Sequence, residues 1–279
     1  MLTIVQIELY KIFRKWRTYI GFIAIAILVP VVQIAMLFEG QHSIDFMTRN
    51  LKDSFFFVGN LLNGYFVSYL ILNSLAVQIP FLIALVAGDL LAGEATAGTY
   101  RILITRPVSR TTLVTGKFIA GIIYTVCLIL WLALMSLGLG LIIFGSGELM
   151  VISTNTMIIF SKDDILWRFL LAYGYAALSM SVVASVAYLF SSLVENAIGP
   201  IVTTMAIIII FLIISALQID FFQNIRPFLF TNYILSWRLF FDNPLNTGKI
   251  IDSVLFLIGH IIVLFAITLI IFRRKDILS

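Results

Sequence analysis

Long apolar runs separated by short polar intervals dominate this chain. Runs at about 19–38, 65–91, 118–144, 169–190, 199–217 and 253–272 reach the roughly 20 residues that a helix needs to cross a hydrocarbon core of about 30 Å. No water is available there, so the backbone must pair with itself. A transmembrane β-strand would alternate lipid-facing and lumen-facing residues in segments of about 10, and residues 201–217 show no alternation. The pattern predicts an all-α integral membrane protein with six transmembrane helices in a single domain over 1–279.

The intervals add detail. Val5, Leu9, Ile12 and Trp16 recur at helical spacing, with Glu8, Lys11, Arg14, Lys15 and Arg17 mostly on the other side, so residues 1–18 read as an amphipathic helix in the membrane interface. The next apolar run ends Met36-Leu37-Phe38-Glu39, without the small residues of a signal-peptide cleavage site, and the first span is expected to be retained. Residues 39–53 read as a polar loop. The apolar stretch from Phe55 to Leu91 would be about 55 Å long as one helix, so a short interfacial piece is expected at about 54–63, with Pro80 kinking the second span. Residues 145–167 read as a loop whose apolar patches, 150–152 and 157–160, touch the bilayer surface. A tight turn is expected at 191–196, and Gly199-Pro200 open the fifth span. In the segment 219–247, Phe221, Phe222, Phe228, Phe230, Tyr233, Trp237, Phe240 and Phe241 interleave with Asp220, Arg226, Arg238 and Asp242. Aromatic rings beside charges favour the headgroup level, which predicts a re-entrant or interfacial pair of short helices before the last span.

Composition agrees with a membrane class: hydrophobic residues make up 61% and charged residues 11%, where a soluble domain carries about 25% charged residues. The net charge of +4 matters by location. Lys11, Arg14, Lys15, Arg17, Arg101, Arg106, Arg110, Lys117, Arg273, Arg274 and Lys275 all fall on the side holding both termini, against seven of the 18 basic residues opposite. The positive-inside rule then puts both termini and the 92–117 loop in the cytosol, for a multi-pass protein of the cytoplasmic membrane. Blocks of charge that would track nucleic-acid phosphates are absent. The single cysteine, Cys127, cannot form an intramolecular disulfide and reads as a packing residue.

Little in the chain suits catalysis. Gly116-Lys117 is followed by Phe118 and Gly248-Lys249 by Ile250, so neither has the hydroxyl that a phosphate-binding loop offers to its metal. His42 and His260 stand apart from any metal-hydrolase spacing, and neither completes a serine-protease constellation. Asp89 is the one carboxylate near a span interior, in the last turn before the cytosol, which gives an ion-coupled carrier little to work with. Asn73, Gln78, Ser136, Ser179, Ser181, Ser185, Thr203 and Thr204 place polar groups in the spans. Helix–helix hydrogen bonding accounts for them. Asn73, Gln78, Ser181, Ser185, Thr203 and Thr204 are also the candidates for a substrate path.

The segment 88–117 is the richest polar interval. A break is expected at Ala92-Gly93, a short helix over 95–104, a stop at Arg106-Pro107, and a new helix capped by Ser109. The run Gly93-Glu94-Ala95-Thr96-Ala97-Gly98-Thr99-Tyr100-Arg101-Ile102-Leu103-Ile104-Thr105-Arg106-Pro107-Val108-Ser109-Arg110, continuing to Gly116-Lys117-Phe118, resembles the first cytosolic loop of permease subunits in the type-two ABC exporter family. That loop has a Glu, then Gly-Thr, a leucine-rich step into Pro-x-Ser-Arg, and Gly-Lys at the start of the third span. Glu94, Gly98, Thr99 and Arg101 match its first part, and Pro107, Ser109 and Arg110, with Arg106 beside them, its second.

The resemblance implies a permease that docks a cytosolic ATP-binding subunit, present in two copies, through a coupling helix in this loop. It also implies a second permease subunit, identical or paralogous, and export as the direction. ATP and Mg would bind the partner ATPase and no cofactor or metal would bind this chain directly. Membrane lipids surround it and nucleic acid plays no part. An ion-coupled carrier or channel is the alternative from another class. A membrane enzyme or an assembly scaffold follows behind it.

Overall fold

The structure, a computed structural model, describes residues 1–48, 61–98, 109–152, 157–217 and 219–274. Helix α1 (Leu2–Arg14) is followed after one residue by α2 (Trp16–Thr48). Helices α3 (Gly64–Leu75) and α4 (Ile79–Ala87) lie at 55° to one another, and α5 (Asp89–Thr96) continues from them. Helix α6 (Arg110–Ala133) passes through a π-helical turn at Leu134–Gly138 into α7 (Leu139–Phe144). After a hairpin of β1 (Leu149–Ile152) and β2 (Met157–Phe160) come α8 (Lys162–Leu193) and α9 (Ile198–Ala216). The short helices α10 (Asp220–Gln223) and α11 (Thr231–Ile234) lead to α12 (Thr247–Arg274). Among the described residues, five helices are long and apolar enough to cross a membrane, or six when the bent α3–α4 pair is one span.

Helix α8 is the hub, with 72% of its most apolar window buried against 11–33% for the other single-helix spans. Its sequence explains this. Ala172, Ala176, Ser179, Ser181, Ala184, Ser185 and Ala187 are all buried, and small side chains let neighbouring helix backbones approach. Apolar side chains on the outward faces of α2, α9 and α12 stay exposed, among them Ile27, Ile210 and Ile262, as helices surrounded by hydrocarbon require.

Several expectations need correction. Helix α2 does not stop at 38 but runs to Thr48 through the stretch read as a loop, because Ile44 is buried there and Gly40 packs against Leu62 with no room for a side chain. Most of the interfacial piece expected at 54–63 lies outside the described residues. The bend in the second span precedes Pro80, which occupies the first turn of α4, where its missing donor is harmless. The loop expected at 145–167 contains an antiparallel hairpin with Leu149 opposite Phe160 and Ile152 opposite Met157. Its Leu149, Met150 and Phe160 are buried, closing the end of the bundle opposite the termini. The turn expected at 191–196 is shifted, since α8 keeps Ser191 and Ser192 and the chain turns at 194–197.

The aromatic segment contains short helices, but half of its rings are core. Phe230, Trp237, Phe240 and Phe241 are buried, while Phe221 and Phe228 are exposed. Tyr69 of α3 meets Trp237 and Phe241 edge-on, and Phe169 of α8 meets Phe241. Arg168 anchors this assembly: its guanidinium donates to the Phe240 and Asp242 carbonyls at 2.7 and 3.2 Å and lies over the Phe160 ring.

Candidate functional site

The segment that resembles a coupling loop begins in α5, and its geometry is set by two glycines. Helix α5 runs through Ala92-Gly93, where a break was expected; the chain instead breaks at Gly88, beside Ile201 of α9. At Gly93 a Cβ would collide with the Asp89 carboxylate. Its absence lets Asp89 lie back along the helix, where it meets Lys15 at 2.7 Å and Arg17 at 3.2 Å. At the other end Gly98 takes φ +64° and its N–H donates to the Ala95 carbonyl at 3.0 Å. That left-handed closure suits glycine and terminates the helix. Thr99, Arg101, Arg106 and Pro107 lie outside the described residues.

The chain re-enters at Ser109, which accepts from the Thr112 N–H at 3.1 Å and so caps α6. Arg110 opens that helix and donates to the Arg273 carbonyl at 3.5 Å, while Arg273 donates to the Thr111 hydroxyl at 3.0 and 3.1 Å. The last turn of α12 is thereby fastened to the first turn of α6, so both termini lie at one end of the bundle with this segment.

Between α5 and α6 stands α1. Helix α1 approaches α6 at Gly116, where a Cβ would come within 2.6 Å of Ile4. The next residue, Lys117, is 1% exposed and its ammonium reaches Glu8 of α1 at 2.6 Å and Glu94 of α5 at 2.7 Å. Lys11 contacts the same two carboxylates at 2.8 and 3.0 Å. Two acids and two bases from three elements therefore form one largely buried, charge-balanced cluster, the arrangement in which buried charge is tolerated. Burial is the largest influence on Glu8 and would raise its pKa, but the charges and hydrogen bonds of Lys117 and Lys11 hold it below its ordinary value. Burial is likewise the largest influence on Lys11 and would lower it, yet bonds to Glu8 and Glu94 hold it above its ordinary value.

This cluster was not legible as such in the sequence. Spacing puts Glu8 with the basic residues on the polar side of α1, whereas in the fold Glu8 is buried. The available signal was an acid among bases in α1 and a Gly-Lys pair at the start of an apolar run. Gly116 is small so that α1 can approach, and Lys117 is basic because two carboxylates converge on it. Glu94, assigned from sequence to partner docking, points its carboxylate inward, with 12% of its side chain exposed.

The same end of the bundle includes the α8–α9 turn. Ser191 accepts from the N–H groups of Leu91 and Ala92 at 3.0 and 2.8 Å, and the Thr96 hydroxyl meets the Glu195 carbonyl at 2.8 Å. Helix α5 is thus held from both sides, by α1 and by α8.

The candidate substrate-path residues do not come together. Ser181, Ser185 and Thr204 are buried and donate to carbonyls one turn back in their own helices, Ala177, Ser181 and Pro200. Asn73 accepts from Arg238 at 2.8 Å. Gln78 is exposed at the α3–α4 break, and Thr203 is exposed on α9.

A search of curated proteins finds no match, whereas the model of the ABC-2 family transporter protein matches residues 2–277. That match spans every helix described above, together with the α5–α6 segment, and the chain accordingly belongs to the ABC-2 family as a membrane permease subunit of an ABC transporter.

Proposed function

We propose that this chain, acting as a single transmembrane domain over 1–279, exports a substrate using ATP hydrolysed on separate polypeptides. Two copies of a cytosolic ATP-binding subunit would carry ATP and Mg, and a second permease, identical or paralogous, would complete the translocation path. Both termini would lie on the cytosolic face of the cytoplasmic membrane, as the basic bias of that end supports. Segment 92–117 is the docking element: Gly98, Thr99, Arg101, Arg106, Pro107, Ser109 and Arg110 present it to the ATP-binding subunit, and Glu94 ties it to the bundle from inside.

The observation that carries this reading is the Glu8–Lys11–Glu94–Lys117 cluster. A surface loop that only satisfied a charge bias would not need a buried ion cluster beneath it. A segment that receives force from a partner does, because its displacement must move α1 and α6 together. Closure of the ATP-binding subunits would displace α5, and the spans would rock with it.

The test is co-purification of the full-length permease with its ATP-binding partner, followed by ATPase assays in lipid nanodiscs. Glu94→Lys and Arg101→Glu should each uncouple ATPase activity from the permease or release the partner. An intact complex with normal permease-coupled activity in both variants would overturn the assignment. Ion flux down a gradient through the purified chain alone would support the carrier alternative instead.

A further inference from the structure

The third span is continuous in sequence but is interrupted at Leu134–Gly138, where the helix takes one π turn. Such turns interrupt the regular carbonyl ladder, recur at functional sites and accompany kinks in helices. Three other spans converge on this one. Gln33, fully buried in α2, donates its amide to the Met135 and Ser136 carbonyls at 3.1 and 3.2 Å. Ser68 of α3 reaches the same Ser136 carbonyl at 2.9 Å, and the Ser136 hydroxyl pairs with Tyr173 of α8 at 2.6 Å. All four side chains are buried.

The two sides of the turn are fastened to different helices. Towards the termini, α6 is held by α1 and α2: Ile4 packs at Gly116, Tyr124 donates to the Thr18 carbonyl at 3.3 Å, and Trp131 donates to the Phe22 carbonyl at 3.1 Å. Beyond the turn, α7 is held by α3: the Gly64 N–H donates to the Gly145 carbonyl at 2.9 Å, Asn63 donates to the Glu148 carbonyl at 2.6 Å, and a Cβ on Gly64 would lie 2.6 Å from the Gly140 carbonyl. The neighbouring span is also interrupted, nearer the termini than the π turn. Leu75, Ala76 and Ile79 at the 55° α3–α4 bend line one small cavity with Ile129 and Leu132, which precede the π turn.

Gln33 has a further property. Its carbonyl oxygen is buried with no hydrogen-bond partner, although its amide is fully used. A buried acceptor without a donor is costly. A rotation of α6 against α3 would change what faces that oxygen, which makes this contact a position where two arrangements of the turn can differ in hydrogen bonding.

We propose that the π turn at Leu134–Gly138 is a hinge between α6 and α7, and that Gln33, with Ser68 and Tyr173, is the clasp that holds it in the present arrangement. The link to transport rests on the coupling role proposed above for the α5–α6 end; the hinge itself does not.

The experiment is therefore made on the full-length permease alone, in lipid nanodiscs, by electron–electron double resonance. Nitroxide labels at T3C and S146C, both exposed in the structure, bracket the turn, and T3C with I119C reports on the terminal half alone; C127A removes the native thiol. Gln33→Leu should broaden or shift the distances of the bracketing pair by several ångström while leaving the T3C–I119C pair unchanged. Ser68→Ala, a milder change, should move the bracketing pair in the same direction, and it decides the matter if Gln33→Leu fails to fold. Bracketing distances that superimpose on those of the parent, or equal broadening of both pairs, would overturn the hinge. Partner binding is scored separately by co-purification, so a permease that flexes at the turn but recruits no ATPase counts against the coupling reading and not against the hinge.

Discussion

Among the described charged residues at the terminal end, Lys117 is the most buried. Its ammonium is out of water and touches carboxylates from two other elements. Replacing it by Met would keep the volume but strand Glu8 and Glu94 in a site built for a cation. We expect Lys117→Met to destabilise the protein by about 3–5 kcal/mol, the usual cost of removing one partner from a buried pair, measured as a lower unfolding midpoint in detergent. The same cluster imposes a pH dependence. Glu8 is held below its ordinary value of 4.5, so its stabilising contribution is present above that pH and is lost as pH falls through its lower folded-state value. Lys11, held above 10.5, contributes below that pH and loses its contribution as pH rises through its higher folded-state value. Thermal stability should therefore fall on the acid side, and Glu8→Gln should flatten that limb of the profile.

At the scale of elements, periodicity identified the long helices and missed what neighbours impose. The π turn in the third span has no sequence mark that separates it from the apolar run around it; in the fold it coincides with the Ser136 carbonyl that Gln33 and Ser68 reach. The hairpin reads as loop in the sequence because both strands are four-residue runs that are apolar at every position, and so short a continuous run has no alternation to mark a strand. Rings beside charges predict short interfacial or re-entrant helices in the aromatic segment; the fold adds that Arg168 fastens it to the bundle by holding the Phe240 and Asp242 carbonyls. Arg168→Met should loosen this corner at a cost of about 2–3 kcal/mol, the scale of charge-assisted hydrogen bonds to a buried group. Limited proteolysis between α9 and α12 should become faster, with cleavage at the α5–α6 segment unchanged.

For the whole molecule, α8 provides a small-residue spine, and the outer helices keep apolar faces turned outward. Helix α1 stands apart from this scheme, since it crosses nothing and yet neutralises Lys117 and covers the α5–α6 junction. Removing residues 2–14 should leave the remaining spans able to insert, because the apolar runs from α2 onward are untouched. The permease-coupled component of partner ATPase activity should disappear. Membrane extraction assays and ATPase rates of the reconstituted complex check both halves of that expectation.

The amino-acid sequence by itself determined the class and the apolar helices, because those follow from local quantities: run length and residue spacing. It also carried the motif residues Glu94 to Lys117, for which the fold then supplies reasons, such as the left-handed closure at Gly98 and the approach of α1 at Gly116. Only the tertiary structure decided which way α1 faces, that Glu94 turns inward on Lys11 and Lys117, and where the third span is interrupted. Those outcomes depend on partners roughly 70 to 110 positions apart in the chain, and no periodicity within one helix contains the charge or the carbonyl that a distant helix brings to it.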